Sequence, residues 1–214
     1  MQILNEIFSA DQVDTFRNYW NNNWNEKSYV NWEVDGQILD RRLLLPKEST
    51  EYEMVKEVVL RYFKNPLDIW TAYQRQNFAH QIHIDDYGIE KKCPCYTMVF
   101  SMDTVPKFKT IVWKETAGNN QLLQEHIQKW GEHRTEKLSN ISELEDLEHT
   151  YDENQHDYFA DYLNLDGIYT YKSGSGVLFN ARQYHCTSNW LKYPEFSHRE
   201  LLQVHIMCKD PIDI

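Results

Sequence analysis

Residues 175–190 read SGVLFNARQYHCTSNW, and this stretch decides the fold class. Two short runs with apolar and aromatic side chains flank a turn-like centre, which predicts a strand, a turn and a second strand. Segments of the same kind occur at 67–75, 78–85, 96–102, 108–114 and 200–207. Short segments rich in β-branched and aromatic residues, separated by turn residues, predict an antiparallel sandwich or barrel as the main body of the molecule.

The N-terminal part of the chain shows a helical period instead. Ser9 is of a type that caps helix N-termini, and three large apolar residues follow it on one helical stripe: Val13, Phe16 and Trp20. Residues 50–53, TEYE, match the pattern of a capping box and open a second predicted helix. The Asn65-Pro66 pair ends that helix, because proline cannot continue the hydrogen-bond ladder.

These elements predict a single domain over 1–214, of the α+β class and mostly antiparallel β. Helical support is expected in 1–66, and barrel strands are expected in 67–118 and 165–210. Between the two strand regions, 119–160 has helically spaced apolar residues and holds ten acids against three bases. We expect a solvated helical insertion there, and the alternative is a lid over an active site.

The composition excludes several classes of function. In the 214-residue chain, 22 lysines and arginines face 33 acidic residues, giving a net charge of −11, which does not suit a nucleic-acid binder. No apolar run approaches the roughly 18–20 residues that cross a bilayer, and the N-terminus lacks the pattern of a secretory signal. Four cysteines without such a signal predict free thiols in a reducing compartment. We therefore expect a cytoplasmic protein without nucleic-acid or membrane partners; the sequence indicates no oligomeric state.

The candidate chemistry lies in the histidines. In His83-Ile84-Asp85 the first and third residues point to the same side of a strand, so an imidazole and a carboxylate can converge on one ion. His185, which follows the strand-like run 176–180, is the candidate third ligand. Two histidines and one carboxylate leave three octahedral positions open, which suits non-haem Fe(II). The alternative is that both histidines are hydrogen-bonded core residues. His205, on the last predicted strand, is expected to point inward and to serve packing.

In combination, these features resemble the 2-oxoglutarate- and iron(II)-dependent oxygenases, and in particular their prolyl-hydroxylase-like members. The resemblance rests on the order of three motifs: His83-x-Asp85, then GVLF at 176–179 leading to His185, then RELLQVH at 199–205. It covers roughly 67–207 with the insertion set aside. It implies a double-stranded β-helix, which is a jelly-roll barrel with the metal at its open end.

The resemblance also implies roles for individual residues. It makes His83, Asp85 and His185 the iron ligands and the catalytic centre. Arg199 would bind the distal carboxylate of 2-oxoglutarate, because a planar guanidinium can donate two parallel hydrogen bonds to a carboxylate. Tyr73 would lie near the co-substrate, with a place in the barrel core as the alternative. The spacing of fourteen residues between His185 and Arg199 exceeds the family's usual gap. The alternative cations are Lys192, Arg182 and Arg75.

The activity implied is oxidative decarboxylation of 2-oxoglutarate with O₂ to succinate and CO₂, coupled to hydroxylation of a small molecule or a peptidyl side chain. Halogenating relatives replace the carboxylate ligand with a small residue, so the presence of Asp85 favours hydroxylation. Two other classes remain open at this point. One is a cupin-type metalloenzyme, an isomerase or another dioxygenase, that uses the same ligands without 2-oxoglutarate. The other is a non-catalytic barrel that serves as a binding module.

Overall fold

The computed structural model describes residues 1–23, 29–34, 37–77, 84–85, 93–103, 105, 108–116, 164–188 and 195–212. This part of the chain contains two helices, α1 (Ala10–Asn23) and α2 (Thr50–Tyr62). Its ten strands are β1 (Gln2–Leu4), β2 (Tyr29–Val34), β3 (Gln37–Leu44), β4 (Pro66–Gln76), β5 (Cys95–Ser101), β6 (Lys109–Thr116), β7 (Leu165–Thr170), β8 (Gly176–Asn180), β9 (Gln183–Thr187) and β10 (Arg199–Cys208).

The strands form two antiparallel sheets. Seven strands form the larger sheet in the order β1-β8-β5-β10-β4-β3-β2, and three form the smaller one in the order β7-β6-β9. From β5 onward the chain crosses between them: β5 lies in the larger sheet, β6 and β7 in the smaller, β8 in the larger, β9 in the smaller and β10 in the larger. Mostly antiparallel sheets with two helices agree with the expected class and are consistent with a jelly roll. Neither described helix has the length and apolar character of a membrane span.

Two hydrophobic cores lie on the two faces of the larger sheet. The first packs α1 and α2 against the outer face and includes Val13, Phe16 and Trp20 from α1 with Tyr73, Leu202 and Val204 from the sheet. The second lies between the sheets and includes Val112 and Tyr169 from the smaller sheet with Val99, Val177, Phe179 and Leu201 from the larger. A strand of the larger sheet that contributes residues to both cores therefore has one face toward the helices and the other toward the interior between the sheets.

Strand β10 sits at the centre of this arrangement, between β4 and β5. Alternate side chains of a strand point to opposite faces. Since Leu201 belongs to the core between the sheets and Leu202 to the helix-side core, odd-numbered positions of β10 face inward. These positions are Arg199, Leu201, Gln203, His205 and Met207. The strand register places Gln76, Gln74, Ala72 and Trp70 of β4 opposite the first four of them, on the same inner face.

Both helices form where the sequence predicts them. The stripe of Val13, Phe16 and Trp20 is buried in α1. The cap of α2 lies one residue earlier than the TEYE pattern predicts. Ser49, not Thr50, is the N-cap, and its side chain accepts a hydrogen bond from the backbone N–H of Tyr52 at 3.0 Å. Ser49 has extended backbone angles, as an N-cap residue requires.

Some segments differ from the sequence prediction. Residues 1–66 contain three strands, β1, β2 and β3, in addition to the two helices of the expected support. The charged run Asp40-Arg41-Arg42 hides any alternation in β3, which pairs with β4 through its backbone. Strand β7 lies inside the range 165–210 where barrel strands are expected, although the sequence pattern singles out no individual strand there. Most of the predicted strand 78–85 and all of the predicted insertion 119–160 lie outside the described residues; Ile84 and Asp85, which are described, are not part of a strand.

Candidate metal and anion sites

Asp85 and His185 meet in the interior between the sheets. His185 lies on β9, paired with Val112 of β6, and its Nε2 atom is 3.6 Å from Oδ2 of Asp85. The backbone N–H of Asp85 donates to the carbonyl oxygen of Ala181, at the turn between β8 and β9, at 2.9 Å. Both side chains are buried. The turn thus holds the carboxylate beside the imidazole, as two ligands of one metal ion require.

The imidazole of His185 bonds to the backbone through Nδ1. Its Nδ1 atom is 2.9 Å from the carbonyl oxygen of Gln183. Because a carbonyl oxygen only accepts hydrogen bonds, Nδ1 is the donor in this contact, and Nε2 is the nitrogen that faces Asp85. The ring packs against Phe179, with the ring centroids 4.7 Å apart. Metal-binding histidines commonly have this arrangement, in which the outer ring nitrogen donates to a protein oxygen and the other nitrogen is directed at the metal.

Thr97 and His205 also lie beside the carboxylate. The Thr97 hydroxyl donates to Oδ2 of Asp85 at 2.5 Å and lies 3.1 Å from Nδ1 of His205. The His205 ring packs against Trp70, with centroids 5.1 Å apart. His205 points inward as its strand parity predicts, and it packs as expected while also contacting Thr97. The sequence motifs do not include Thr97; the available signal is a polar residue within the otherwise mostly apolar predicted strand 96–102.

His83, the third ligand implied by the resemblance, lies outside the described residues, so its role stays a prediction. Within the described ranges, no group of three or more His, Cys, Asp or Glu side chains is arranged to hold a metal ion. The structure therefore brings together two of the three predicted ligands, Asp85 and His185.

Arg199 lies on the same inner face of β10 as His205, three inward-facing positions away. Its side chain is only 3% exposed. Nε donates to Oε1 of Gln76 at 2.5 Å, and Nη1 donates to the hydroxyl of Tyr171 at 3.0 Å. The Tyr171 hydroxyl is also 3.3 Å from that of Thr110. A buried guanidinium with these uncharged partners is a cation suited to binding an anion.

Along β10, Arg199 is separated from His205, which lies beside Asp85. Two inward-facing residues of β10, Leu201 and Gln203, separate Arg199 from His205. The guanidinium and the Asp85–His185 pair therefore lie at different heights in the same interior. A ligand that reaches both groups must therefore be elongated and carry a negative charge at its Arg199 end. The hydroxyl groups of Tyr171 and Thr110, which sequence analysis missed, lie at that end.

Tyr73 lies on the other side of the sheet. It belongs to the helix-side core, packs against Trp20 at 5.3 Å between ring centroids, and donates its hydroxyl to Oε2 of Glu200 at 2.8 Å. Burial raises the pKa of the Tyr73 hydroxyl, and the negative charge of Glu200 raises it further. The structure therefore does not bring Tyr73 to the interior that holds Arg199. The expectation that it lies near the co-substrate is not met, and the alternative of a core position describes it.

Of the alternative cations, Arg75 also lies on the helix side. Its Nε is 2.6 Å from Oε1 of Glu200, and its guanidinium lies over the ring of Trp20, 4.9 Å from the ring centroid. Arg182 follows the end of β8 in the turn, and Lys192 lies outside the described residues. Arg199 is thus the predicted cation that the structure places on the inner face of β10.

Glu200, the neighbour of Arg199, is the centre of a charged cluster on the helix side. Burial alone would raise the pKa of its carboxyl, but hydrogen bonds from His198, Tyr73 and Arg75 outweigh burial and lower the pKa to about 2. Its backbone N–H donates to Oδ2 of Asp103 at 2.5 Å. Burial raises the pKa of Asp103 to about 6. The cluster fixes the beginning of β10, and with it the position of the Arg199 backbone.

Comparisons with known proteins give structural matches only. No protein-family model matches the sequence, and no curated protein matches it. Among similar solved structures is the non-heme alpha-ketoglutarate-dependent carbocyclase SnoK from nogalamycin biosynthesis, with a TM-score of 0.63 and 11% identity over 96% of this chain and 77% of that one. HygX from Streptomyces hygroscopicus, solved with nickel and 2-oxoglutarate bound, has a TM-score of 0.55 and 16% identity over 96% and 81% of the two chains.

A third similar structure is EvdO2 from Micromonospora carbonacea var. aurantiaca, complexed with 2-oxoglutarate. It has a TM-score of 0.51 and 10% identity over 99% of this chain and 88% of that one. At such low identities these likenesses establish the fold. The sites described above come from the residues of this chain.

Proposed function

We propose that this chain is a cytoplasmic 2-oxoglutarate- and Fe(II)-dependent dioxygenase with the double-stranded β-helix fold. One observation carries the proposal: the Nε2 atom of buried His185 faces the carboxylate of Asp85 at 3.6 Å, while Nδ1 bonds to a backbone carbonyl oxygen. The similar structures support it, because they include enzymes described as alpha-ketoglutarate-dependent and structures with iron, nickel or 2-oxoglutarate bound.

The residues present fit a divalent iron site. Asp85 supplies a carboxylate oxygen and His185 an imidazole nitrogen, and we propose His83 as the third ligand. Two histidines and one carboxylate are the ligand set of non-haem Fe(II) oxygenases, in which open positions remain for other molecules. When bound there, Fe(II) together with 2-oxoglutarate and O₂ would supply the oxidising power, with succinate and CO₂ as products. The chain's own part is to hold the ligands, exclude water and orient the co-substrate.

Arg199 is proposed to bind the distal carboxylate of 2-oxoglutarate. Its burial strengthens a charge-assisted hydrogen bond, because little water competes for the guanidinium. Tyr171 lies beside it and can donate its hydroxyl proton to the same carboxylate, with Thr110 next in the chain of hydroxyls. A dicarboxylate held between Arg199 and the metal ligands would lie along the inner face of β10.

We propose hydroxylation of a small molecule or a peptidyl side chain as the reaction. The similar structures include enzymes described as a carbocyclase and an epimerase, both from nogalamycin biosynthesis. A carboxylate at position 85 favours hydroxylation over halogenation, as the resemblance implies. The net charge of −11 favours a neutral or cationic substrate over a nucleic acid.

The test needs no substrate. The purified apo-protein is loaded anaerobically with Fe(II) and titrated with 2-oxoglutarate, while the visible metal-to-ligand charge-transfer band is recorded. We expect a band in the wild-type protein, its loss in Asp85→Ala and His185→Ala, and a much higher 2-oxoglutarate requirement in Arg199→Ala. Arg61→Ala is the matched control, because Arg61 is exposed on α2 far along the chain from both sites.

The outcomes separate the candidate functions. Iron binding without any effect of 2-oxoglutarate contradicts the proposal and favours the cupin-type metalloenzyme. Failure to bind iron at all removes the metal site and favours a non-catalytic barrel. A band that survives Arg199→Ala unchanged keeps the co-substrate but rejects Arg199 as its anchor.

A further inference from the structure

Three glutamines continue from Arg199 along the inner face of the larger sheet. Gln76 accepts from Arg199 through Oε1 at 2.5 Å and donates through Nε2 to Oε1 of Gln74 at 2.9 Å. Gln74 in turn donates through Nε2 to Oε1 of Gln203. The glutamine relay, as we name Gln76, Gln74 and Gln203, thus runs from the guanidinium toward the level of the metal ligands.

The guanidinium sets the direction of every hydrogen bond in the glutamine relay. Arginine only donates, so Gln76 must turn its oxygen toward Arg199 and its NH₂ group toward Gln74. Gln74 must then accept with its oxygen and donate with its NH₂ group. Gln203 receives that donation on its oxygen, and its own NH₂ group is left at the end of the relay. The guanidinium of Arg199 stays protonated at all relevant pH values. It therefore fixes the orientation of the Gln203 amide, which is the third glutamine of the relay.

The free end of the glutamine relay lies in the right place to contact a bound molecule. Gln203 is half-buried, and it lies on the inner face of β10 between Arg199 and His205. Opposite it on β4 lies Ala72, whose side chain is a single methyl group. Among the described residues, the Nε2 atom of Gln203 has no hydrogen-bond partner. This atom is not fully buried, so a bound molecule can reach it.

We propose that Gln203 is a positioning residue that donates a hydrogen bond from Nε2 to a carboxylate or keto oxygen of the co-substrate, at its metal-facing end. The inference rests on the proposed function, because it takes 2-oxoglutarate as the elongated dianion that passes from Arg199 to the metal ligands. In this arrangement Arg199 acts twice. It binds one end of the co-substrate directly and, through the glutamine relay, presents a donor to the other end.

The first test replaces the donor. In Gln203→Met the side chain keeps its length but cannot donate, so we expect the dissociation constant of 2-oxoglutarate, measured anaerobically with the Fe(II)-loaded full chain, to rise about tenfold. The affinity for Fe(II) alone should be unchanged. Thr71→Val is the matched control, because Thr71 lies on the opposite face of β4 and its buried hydroxyl has no partner among the described residues.

The second test reverses the direction of the relay without touching Arg199 or Gln76. In Gln74→Glu the new carboxylate only accepts, so Gln203 must turn its NH₂ group toward position 74 and present its oxygen to the co-substrate. We expect the dissociation constant to rise by more than tenfold. In the Gln203→Met background the same substitution should have a much smaller effect, because no amide remains to be turned.

These measurements distinguish the two proposals. If wild-type protein loaded with Fe(II) shows no response to 2-oxoglutarate, the proposed function and the role of Gln203 both fail. If wild-type protein binds 2-oxoglutarate and Gln203→Met binds it equally well, only the role of Gln203 fails. Equal effects of Gln74→Glu with and without Gln203 would show that the added charge acts directly, which also overturns the relay.

Discussion

Arg199 and Glu200 are adjacent in the chain and lie on opposite faces of β10. Arg199 faces the interior between the sheets, where its partners Gln76 and Tyr171 are uncharged. Glu200 faces the helices, where it pairs with Arg75 at 2.6 Å and with Arg17 at 3.6 Å. Strand β10 thus places the carboxylate of Glu200 among basic partners on the helix side and the guanidinium of Arg199 in the interior between the sheets. The charged cluster on the helix side fixes the backbone next to Arg199, the residue that we propose as the anchor of the co-substrate.

Removing the charge of Glu200 should destabilise the protein. Glu200→Gln keeps the shape of the side chain but leaves Arg17 and Arg75 without their shared carboxylate. We expect the free energy of unfolding to fall by about 1–3 kcal/mol in urea titrations at pH 7, since the cluster is largely buried. Glu53→Gln, which removes an exposed pair with Lys56 on α2, should cause no measurable change. Equal stability of both variants would mean that the cluster contributes nothing.

Asp103 should give the protein a distinct pH dependence. Its folded-state pKa is raised to about 6 from an ordinary value of 3.8, so the native state holds its proton more tightly than the unfolded state does. Stability contributed by this group is therefore present at low pH and lost as the pH rises through about 6. Between pH 5 and pH 7.5 we expect the free energy of unfolding of the wild type to fall by about 1.4 kcal/mol relative to that of Asp103→Asn. Urea unfolding of both proteins at a series of pH values measures this difference.

The sign of this difference is the decisive observation. Glu200, with a pKa lowered to about 2, contributes in the opposite sense: its stabilisation is lost only as the pH falls below the ordinary range of a glutamate, toward 2. The contribution of Glu200 to stability is therefore nearly constant between pH 5 and 7.5, and it cancels when the wild type is compared with Asp103→Asn. A wild type that gains stability over Asp103→Asn as the pH rises from 5 to 7.5 would contradict the burial of the Asp103 carboxyl.

Much of the fold followed from local patterns in the sequence. The helical stripe of Val13, Phe16 and Trp20 follows from periodicity. The strands β4, β5, β6, β8, β9 and β10 follow from short runs of β-branched and aromatic residues between turn residues. Strand β3 did not follow, because its pairing with β4 is made by backbone groups and its charged residues carry no alternation. The N-cap of α2 lies one position before the predicted one, since Ser49 and Thr50 are both residue types that cap helices.

The candidate site was predictable to the extent that it depends on motifs. Asp85, His185 and Arg199 came from short patterns in a fixed order, and the structure places them in one interior. Tyr73 and Tyr171 show the limit. Alternation along a strand predicts which residues share a face, but it does not predict which face points into the interior between the sheets. The choice of face depends on the core into which each side chain packs. That choice puts Tyr171 beside Arg199 and Tyr73 beneath the helices.

Thr97 should control the affinity of the metal site. Its hydroxyl donates to Oδ2 of Asp85 at 2.5 Å, and a carboxylate ligand that loses such a partner is held less firmly. Thr97→Val has the same shape without the hydroxyl, and we expect it to weaken Fe(II) or Mn(II) binding about tenfold in anaerobic titration calorimetry. Thr97→Ser, which keeps the hydroxyl, should bind almost as the wild type does. Equal weakening in both variants would indicate a packing effect of the methyl group.

Removing the hydroxyl groups of Tyr171 and Tyr73 should have different consequences. Tyr171→Phe deletes the hydroxyl that accepts from Arg199 at 3.0 Å, so we expect 2-oxoglutarate to bind about three- to tenfold more weakly and stability to fall by about 1–3 kcal/mol, because a buried guanidinium N–H loses its acceptor. Tyr73→Phe deletes a donor to Glu200 at 2.8 Å, so we expect about 1 kcal/mol less stability in urea unfolding and an unchanged 2-oxoglutarate affinity. The two tyrosines are matched controls for each other, because both are buried and each loses one oxygen atom. A larger loss of 2-oxoglutarate affinity in Tyr73→Phe than in Tyr171→Phe would place the co-substrate on the helix side of the sheet and reject the site built around Arg199.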